Sequence, residues 1–398
     1  MSWNGHKVID MDTHVYERPD RMYREFLDPA YQEPYEQLCA AIEKQAENGL
    51  SFSLFGTRHA VIEPFEAGRP LGVRDSFGLS RQRGSGKRIL REKEAARETQ
   101  LIRPEVSWDA QARLEDMDRG AIDVNVIYAT YVSSYCALRN VGFESALYRA
   151  YHRWVSNFCS QGKNRLKWTV FANLRDLQAG MAEVKYWAER DANLVGIYTP
   201  QVGPGGKLLD NPDFHPLYQL AQDLDLPLLV HPGTGRPPYT PGSFDMDGSW
   251  FLIQSLLNPW AGMTAMACLI GGGVFDLFPK LRAAVVETSA GWVPVMVDRM
   301  DSHYYASPNH VPNLKRTPRE TVEDGRYAHA VDTWESTIEH SVAAMGEDLW
   351  LFATDYPHKG TQWPNAVSQI VELPGLSESA KTKILGANAM RVCPRLRD

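Results

Sequence analysis

Short apolar runs alternate with helix-like segments along nearly the whole chain, and that alternation limits the folds open to it. The runs cover 7–12, 124–128, 168–172, 194–198, 227–231, 281–287, 328–331 and 349–355. They are rich in Val, Ile, Leu, Ala and aromatic residues, with little of the in–out alternation of a half-exposed strand. Strands that read this way are covered on both faces, as in parallel sheets flanked by helices. Helical spacing fills the gaps: 110–119, closed by Gly120 as a C-terminal glycine, then 145–161, 179–191, 213–224, 250–269 with an interruption at Pro259, 292–305 and 333–345. Repeated strand–helix units predict an α/β fold with a parallel sheet, closed or open.

The strand ends choose between the two. The first run leads into Asp12-Thr13-His14, the fifth ends on His231, the sixth on Glu287 and the eighth on Asp355. In a closed barrel these ends ring one axis at one face, whereas an open sheet strings them along an edge. Each residue alone has an ordinary use. His231, before Pro-Gly, can bond a backbone carbonyl, Glu287 can pair with an arginine, and Asp355, before Tyr-Pro, can cap a turn. Their joint recurrence is harder to explain that way. Several carboxylates buried together cost several kcal/mol, which a divalent cation removes. The expectation is therefore a (β/α)8 TIM barrel with a metal at its C-terminal face, residues 1–398 forming one domain. Residues 48–107 break the pattern and are expected as a lid-like insertion after strand 1.

Asp12 and His14 are two apart and point to one side of an extended strand. Glu17 can return to that side if the chain turns. Oxygen and imidazole donors suit Mn, Fe, Zn or Co better than a thiolate-loving ion. The five cysteines, Cys39, Cys136, Cys159, Cys268 and Cys393, are scattered with no Cys-x-x-Cys, so they read as reduced core thiols of a cytoplasmic protein. A net charge of −7 excludes the basic footprint of nucleic-acid binding. No apolar run has the length of a membrane span, and the polar N-terminus has no signal-peptide core. Gly84-Ser85-Gly86-Lys87 lacks the spacing and the Ser/Thr of a phosphate loop and reads as a flexible loop.

Several stretches resemble the amidohydrolase superfamily in its amidohydrolase-related branch (amidohydrolase family 2). They are Val8 to Glu17, Arg113 to Val124, Leu226 to Gly235, Gly272 to Arg282, Gly291 to Pro294 with Asp298 to Asp301, and Phe352 to His358. The resemblance covers most of the chain outside 48–107 and implies a (β/α)8 barrel with a divalent metal. Family members include hydrolases and non-oxidative decarboxylases of aromatic or unsaturated acids, and a smaller similar group holds two irons, or iron and manganese, and hydroxylates with O2. Where the family's first strand often ends His-x-His or Glu-x-His, this chain has Asp12-x-His14. The sixth-strand position, often His, is Glu287, and the eighth-strand Asp is Asp355. An oligomer, with itself or with related subunits, is a family-level expectation.

The expected centre has His14, His231 and Asp355 as principal ligands of one or two ions of Zn, Mn or Fe, with Asp12, Glu17 and Glu287 touching the ion or lying just behind. Asp355, His231 and His358 are the candidate catalytic residues, His358 as a second base or a ligand to a second ion. His303 is a weaker candidate for the same mouth, and the remaining histidines, His329 among them, read as structural or solvent-facing. The expected reaction is hydrolysis or decarboxylation of a small carboxylic-acid-type substrate. A dinuclear O2-dependent hydroxylase and a metal-poor partner subunit are the alternatives.

Overall fold

The computed structural model describes residues 3–17, 23–47, 102–132, 138, 140–232, 253–311, 313–358 and 360–397. The runs that lack alternation become eight parallel strands: β1 (Ile9–Val15), β2 (Val124–Ala129), β3 (Leu166–Phe171), β4 (Leu194–Thr199), β5 (Leu228–Val230), β6 (Ala283–Val285), β7 (Tyr327–Asp332) and β8 (Trp350–Ala353). They pair in sequence order, each with the next. Nearly every strand residue is buried, which is why the runs are apolar on both faces. Gly196 lies in the middle of β4, where a Cβ would come within 2.5 Å of the Leu229 side chain; the close approach requires glycine.

The ring closes where β8 meets β1. The Asp355 N–H donates to the Asp12 carbonyl (2.9 Å), and the His14 N–H donates to the Tyr356 carbonyl (2.6 Å). Buried Asp10 adds a side-chain link, accepting from the Thr354 N–H (3.1 Å) and hydroxyl (2.6 Å). Closure thus runs through the residues that carry the candidate site.

Helices between strands start where polar caps allow. Asp109 accepts from Gln111 and Ala112 N–H at the start of Ala110–Arg119, and Asn140 from Phe143 N–H at the start of Val141–Ser160. Four sequence expectations shift. Gly120 ends its helix with an ordinary right-handed φ of −82°, and Ala121 takes the left-handed position; Gly120 is instead needed for space, a Cβ there meeting the Trp363 ring at 3.0 Å. Pro259 does not break the helix: a π-helical turn over Ile253–Leu257 leads straight into Asn258–Met266, and this irregular turn just ahead of the proline accommodates its missing N–H. Helical structure runs from Gln254 to Leu277 and is long and apolar enough by composition to cross a membrane. Here Ala261, Ala265, Met266, Leu269 and Ile270 are buried in the protein core. The segment 333–345 is helical only over Ile338–Met345, because Glu335 is drawn inward to accept from Ala290, Gly291 and Asp332 N–H.

Cys39, Cys159, Cys268 and Cys393 are buried free thiols. Cys136 and the Gly84–Lys87 loop lie outside the described residues. Of the expected insertion only 102–107 is described, and there the Ser107 hydroxyl accepts from Tyr16 N–H (3.0 Å) beside the end of β1.

Candidate metal centre

β1 continues past the apolar run to Val15, so Asp12 and His14 are strand residues. Their two-residue spacing sends both side chains inward, with His14 Nε2 3.2 Å from Asp12 Oδ1. Across the barrel, the His231 N–H donates to the Thr199 carbonyl (3.1 Å), carrying the β4–β5 ladder one residue further. His231 Nδ1 lies 2.9 Å from the Pro232 carbonyl. A carbonyl only accepts, so Nδ1 carries a proton and Nε2 is the nitrogen turned to the interior. That Nε2 lies 3.1 Å from His14 Nε2, 2.9 Å from Glu287 Oε2 and 3.7 Å from Asp12 Oδ1.

Glu287 and Asp355 each stand two residues beyond their strands, and both are left-handed, with φ of 52° and 57°. Non-glycine residues adopt this conformation at a cost of about 1–2 kcal/mol, which a functional arrangement can hold in place. Asp355 Oδ1 is 3.4 Å from His14 Nε2 and 2.5 Å from His358 Nδ1. His358 stacks on His14 with ring centroids 4.0 Å apart, and its Nε2 lies 2.9 Å from the Thr130 hydroxyl.

One potential ligand atom from each of Asp12, His14, His231 and Glu287 falls within 4.8 Å of all the others, and the same holds for His14, Asp355 and His358. A first-row divalent ion binds N and O donors at about 2.0–2.2 Å, which places neighbouring donors about 3 Å apart. Both oxygens of buried Asp12 are without a hydrogen bond among the described residues. Acceptors orphaned like this fit a cation. Charge tells the same story. Burial pushes the Asp12 and Asp355 carboxyls well above the usual range, with Glu287 adding to the effect on both. Burial and the neighbouring His358 and His231 hold His14 well below its ordinary value. At His231 burial also acts downward, but Asp12 and Glu287 outweigh it and raise the imidazole to about 9. A bound cation would stabilise the carboxylates and the neutral imidazoles together.

The donor set is that of a metal enzyme, and the whole chain carries its family's pattern: the amidohydrolase family model matches residues 9–395. The chain belongs to the amidohydrolase family. This amidohydrolase is 27% identical over 296 residues to 2-amino-3-carboxymuconate-6-semialdehyde decarboxylase of Dictyostelium discoideum, covering 71% of this chain and 76% of the relative. Its fold is similar to that of an amidohydrolase from Mycobacterium avium subsp. paratuberculosis, with a TM-score of 0.68 at 19% identity, covering 98% of this chain and 99% of the other. It is also similar to 5-carboxyvanillate decarboxylase from Novosphingobium aromaticivorans, solved with manganese and 4-hydroxy-3-methoxy-5-nitrobenzoic acid, with a TM-score of 0.65 at 18% identity, covering 98% and 96%.

Two expected positions have other occupations. Glu17 does not join the cluster: its carboxylate accepts from the N–H groups of Thr130, Tyr131 and Val132, anchoring the loop after β2 to the end of β1. The chain does turn after His14, but toward this row of amides. His303 lies in the last turn of Val293–Ala306, a helix that starts after β6 and runs away from the strand ends. There it lines a separate hollow with Met296, Met300 and Leu314.

Residue-by-residue reading also passed over two buried groups. His329 is a strand residue of β7, fully buried, with its ring nitrogens 2.9 Å from Tyr327 OH and 3.1 Å from Thr288 Oγ1. Arg113 lies buried behind β1, donating to the His14 carbonyl (2.8 Å) and Asn125 (2.9 Å). The signal available for His329 was its place inside a weakly apolar run. Arg113 gave none beyond the family resemblance.

Proposed function

We propose that this amidohydrolase binds one divalent ion, with Mn as the first choice, through Asp12, His14, His231, Glu287 and Asp355, and removes CO2 non-oxidatively from a small aromatic or unsaturated carboxylic acid. The observation that carries the reading is the convergence of four ligand atoms within 4.8 Å of one another around unpartnered Asp12 oxygens. Decarboxylation is favoured over hydrolysis because a curated relative that covers 71% of this chain is named a decarboxylase. A single ion is favoured because His14 Nε2 faces both ligand groups, and one imidazole lone pair holds one ion.

When bound, the metal supplies a Lewis acid that holds and orients the substrate carboxylate. The protein supplies the proton. Asp355 lines the adjoining cavity and is in contact with His358, so this pair is placed to hold the proton there. As the bond between the substrate carbon and CO2 breaks, the electron pair stays on carbon and takes the Asp355 proton. His358, in contact with Asp355 and backed by the Thr130 hydroxyl, is placed to restore it. Asp10 holds the β1–β8 junction that sets Asp355 against His14, and Arg113 braces it, bonded to the His14 carbonyl with its guanidinium 4.6 Å from the centre of the Tyr356 ring.

Elemental analysis of the purified chain, paired with CO2 release from a panel of aromatic acids under argon, tests this. About one Mn or Zn per chain with anaerobic CO2 release is the expected result. About two Fe or Mn per chain with O2 uptake would establish the dinuclear hydroxylase instead.

A further inference from the structure

The backbone that presents Glu287 is held from the next strand–helix unit. Glu287 and Ser289 are both left-handed, with φ of 52° and 58°. Two such non-glycine residues within three positions persist only where their surroundings over-determine them. Most of the ties reach this loop from β7 and the turn after it. His329 Nε2 donates to the Ser289 carbonyl (3.0 Å) and lies 3.1 Å from Thr288 Oγ1. The Ser289 hydroxyl donates to Asp332 Oδ2 (3.3 Å). Glu335 accepts from the Ala290 N–H through both oxygens (2.9 Å each) and from the Gly291 N–H (3.0 Å). Packing agrees with the bonding. A Cβ on Gly291 would come within 2.5 Å of Thr337 Oγ1, so the loop lies directly against the turn that carries Glu335.

Glu335 is the unusual member of this set. It is only 7% exposed, yet its described partners are the N–H groups of Ala290, Gly291 and Asp332 and the Thr337 hydroxyl, not a cation. Its charge sits just ahead of the helix Val293–Ala306, where the helix dipole favours an anion. It is not one of the donors clustered around Asp12.

We propose that Glu335 is a positioning residue for the metal centre: it pins Ala290 and Gly291, holds the left-handed Glu287–Ser289 backbone, and so fixes the Glu287 carboxylate against His231 without touching the ion. The inference rests on the metal site proposed above. Asn258 Nδ2, 3.1 Å from Glu287 Oε1, steadies the carboxylate itself, while Glu335 steadies the backbone beneath it. Glu335→Gln keeps the side chain's size but turns one oxygen into an amide nitrogen, which cannot accept from an N–H. The loop then loses acceptors on the side where it is held, and its left-handed residues are free to relax.

Mn affinity is measured calorimetrically on wild type, Glu335→Gln, Glu287→Gln and the double variant. Glu335→Gln is expected to weaken Mn binding about tenfold, the range for partners that orient a metal ligand. The double variant is expected to bind no more weakly than Glu287→Gln alone, because the brace then has nothing to position. The electron paramagnetic resonance spectrum of bound Mn gives an independent readout. It should change between wild type and Glu335→Gln, and be the same in Glu287→Gln with or without the second substitution. A merely structural glutamate would leave the spectrum of the bound ion as in wild type. Should Glu335→Gln fail to fold, Ser289→Ala, which cuts the tie to Asp332, takes its place in the same cycle, with about a threefold loss expected. The inference falls if affinity stays within twofold of wild type, if the two losses multiply in the double variant, or if Glu287→Gln itself costs no affinity. Those results require a wild type that binds Mn; a wild type that takes up none overturns the metal site and this inference with it.

Discussion

Glu287 Oε2 lies 2.9 Å from His231 Nε2, joining the ends of two neighbouring strands. The glutamate reaches this position only with a left-handed backbone, φ 52°, and with its other oxygen held by Asn258 at 3.1 Å. The sixth strand thus offers the centre a carboxylate where the family often has an imidazole, adding negative charge to a group that already contains Asp12.

That charge is testable. Glu287→Gln keeps the side chain's length but removes its charge and one acceptor. Affinity for Mn is expected to fall at least tenfold, the range seen when even the outer partners of metal ligands are removed. Metal titration monitored by calorimetry reads it; unchanged affinity would place Glu287 outside the coordination sphere.

Glu17 makes the opposite prediction. Its carboxylate serves three backbone N–H groups, so Glu17→Ala should lower stability by about 2–3 kcal/mol and leave metal content per chain unchanged. Urea unfolding and elemental analysis on the same sample check both. Lost metal with intact stability would make Glu17 a ligand after all.

His329 gives a pH dependence. Burial holds its imidazole down at about 4, against an ordinary 6.5. Between those values the unfolded chain binds the proton and the folded one does not, so this group makes stability rise with pH through that window and adds nothing further above it. The difference corresponds to about 3 kcal/mol. The advantage of wild type over His329→Asn in urea unfolding should therefore shrink by about that amount from pH 6.5 to pH 4. A constant gap would show that the histidine is not buried neutral.

Removing the ion should destabilise the barrel. Asp12 and His14 belong to β1, His231 follows β5 and Asp355 follows β8, so one cation ties three parts of the ring together. With free metal a hundredfold above its dissociation constant, the tie is worth about 2.7 kcal/mol. A chelator should lower the Tm accordingly and added Mn restore it; an unchanged Tm would mean that the cluster holds no ion.

Much of this architecture is written in local patterns. The eight apolar runs needed no tertiary information to be read as covered strands, and even the weak run at 328–331 became β7. Asp12, His14, His231, Glu287 and Asp355 were visible because each stands at or just past the end of such a run. Spacing could not tell a turn toward the ion from a turn toward backbone amides, as at Glu17. Nor could it give His303 its distance from the mouth, which depends on the direction in which a helix leaves the barrel.

The sequence by itself determined the parallel strand–helix order and the polar residues that finish the strands, because periodicity and strand-end position are local properties. Only the tertiary structure decided which of those residues share a centre, that Asn258 orients Glu287, and that buried Asp10 and Arg113 hold the β1–β8 closure. Those relations depend on ring closure, which brings residues more than three hundred positions apart to within hydrogen-bonding distance, and no window along the chain contains both ends.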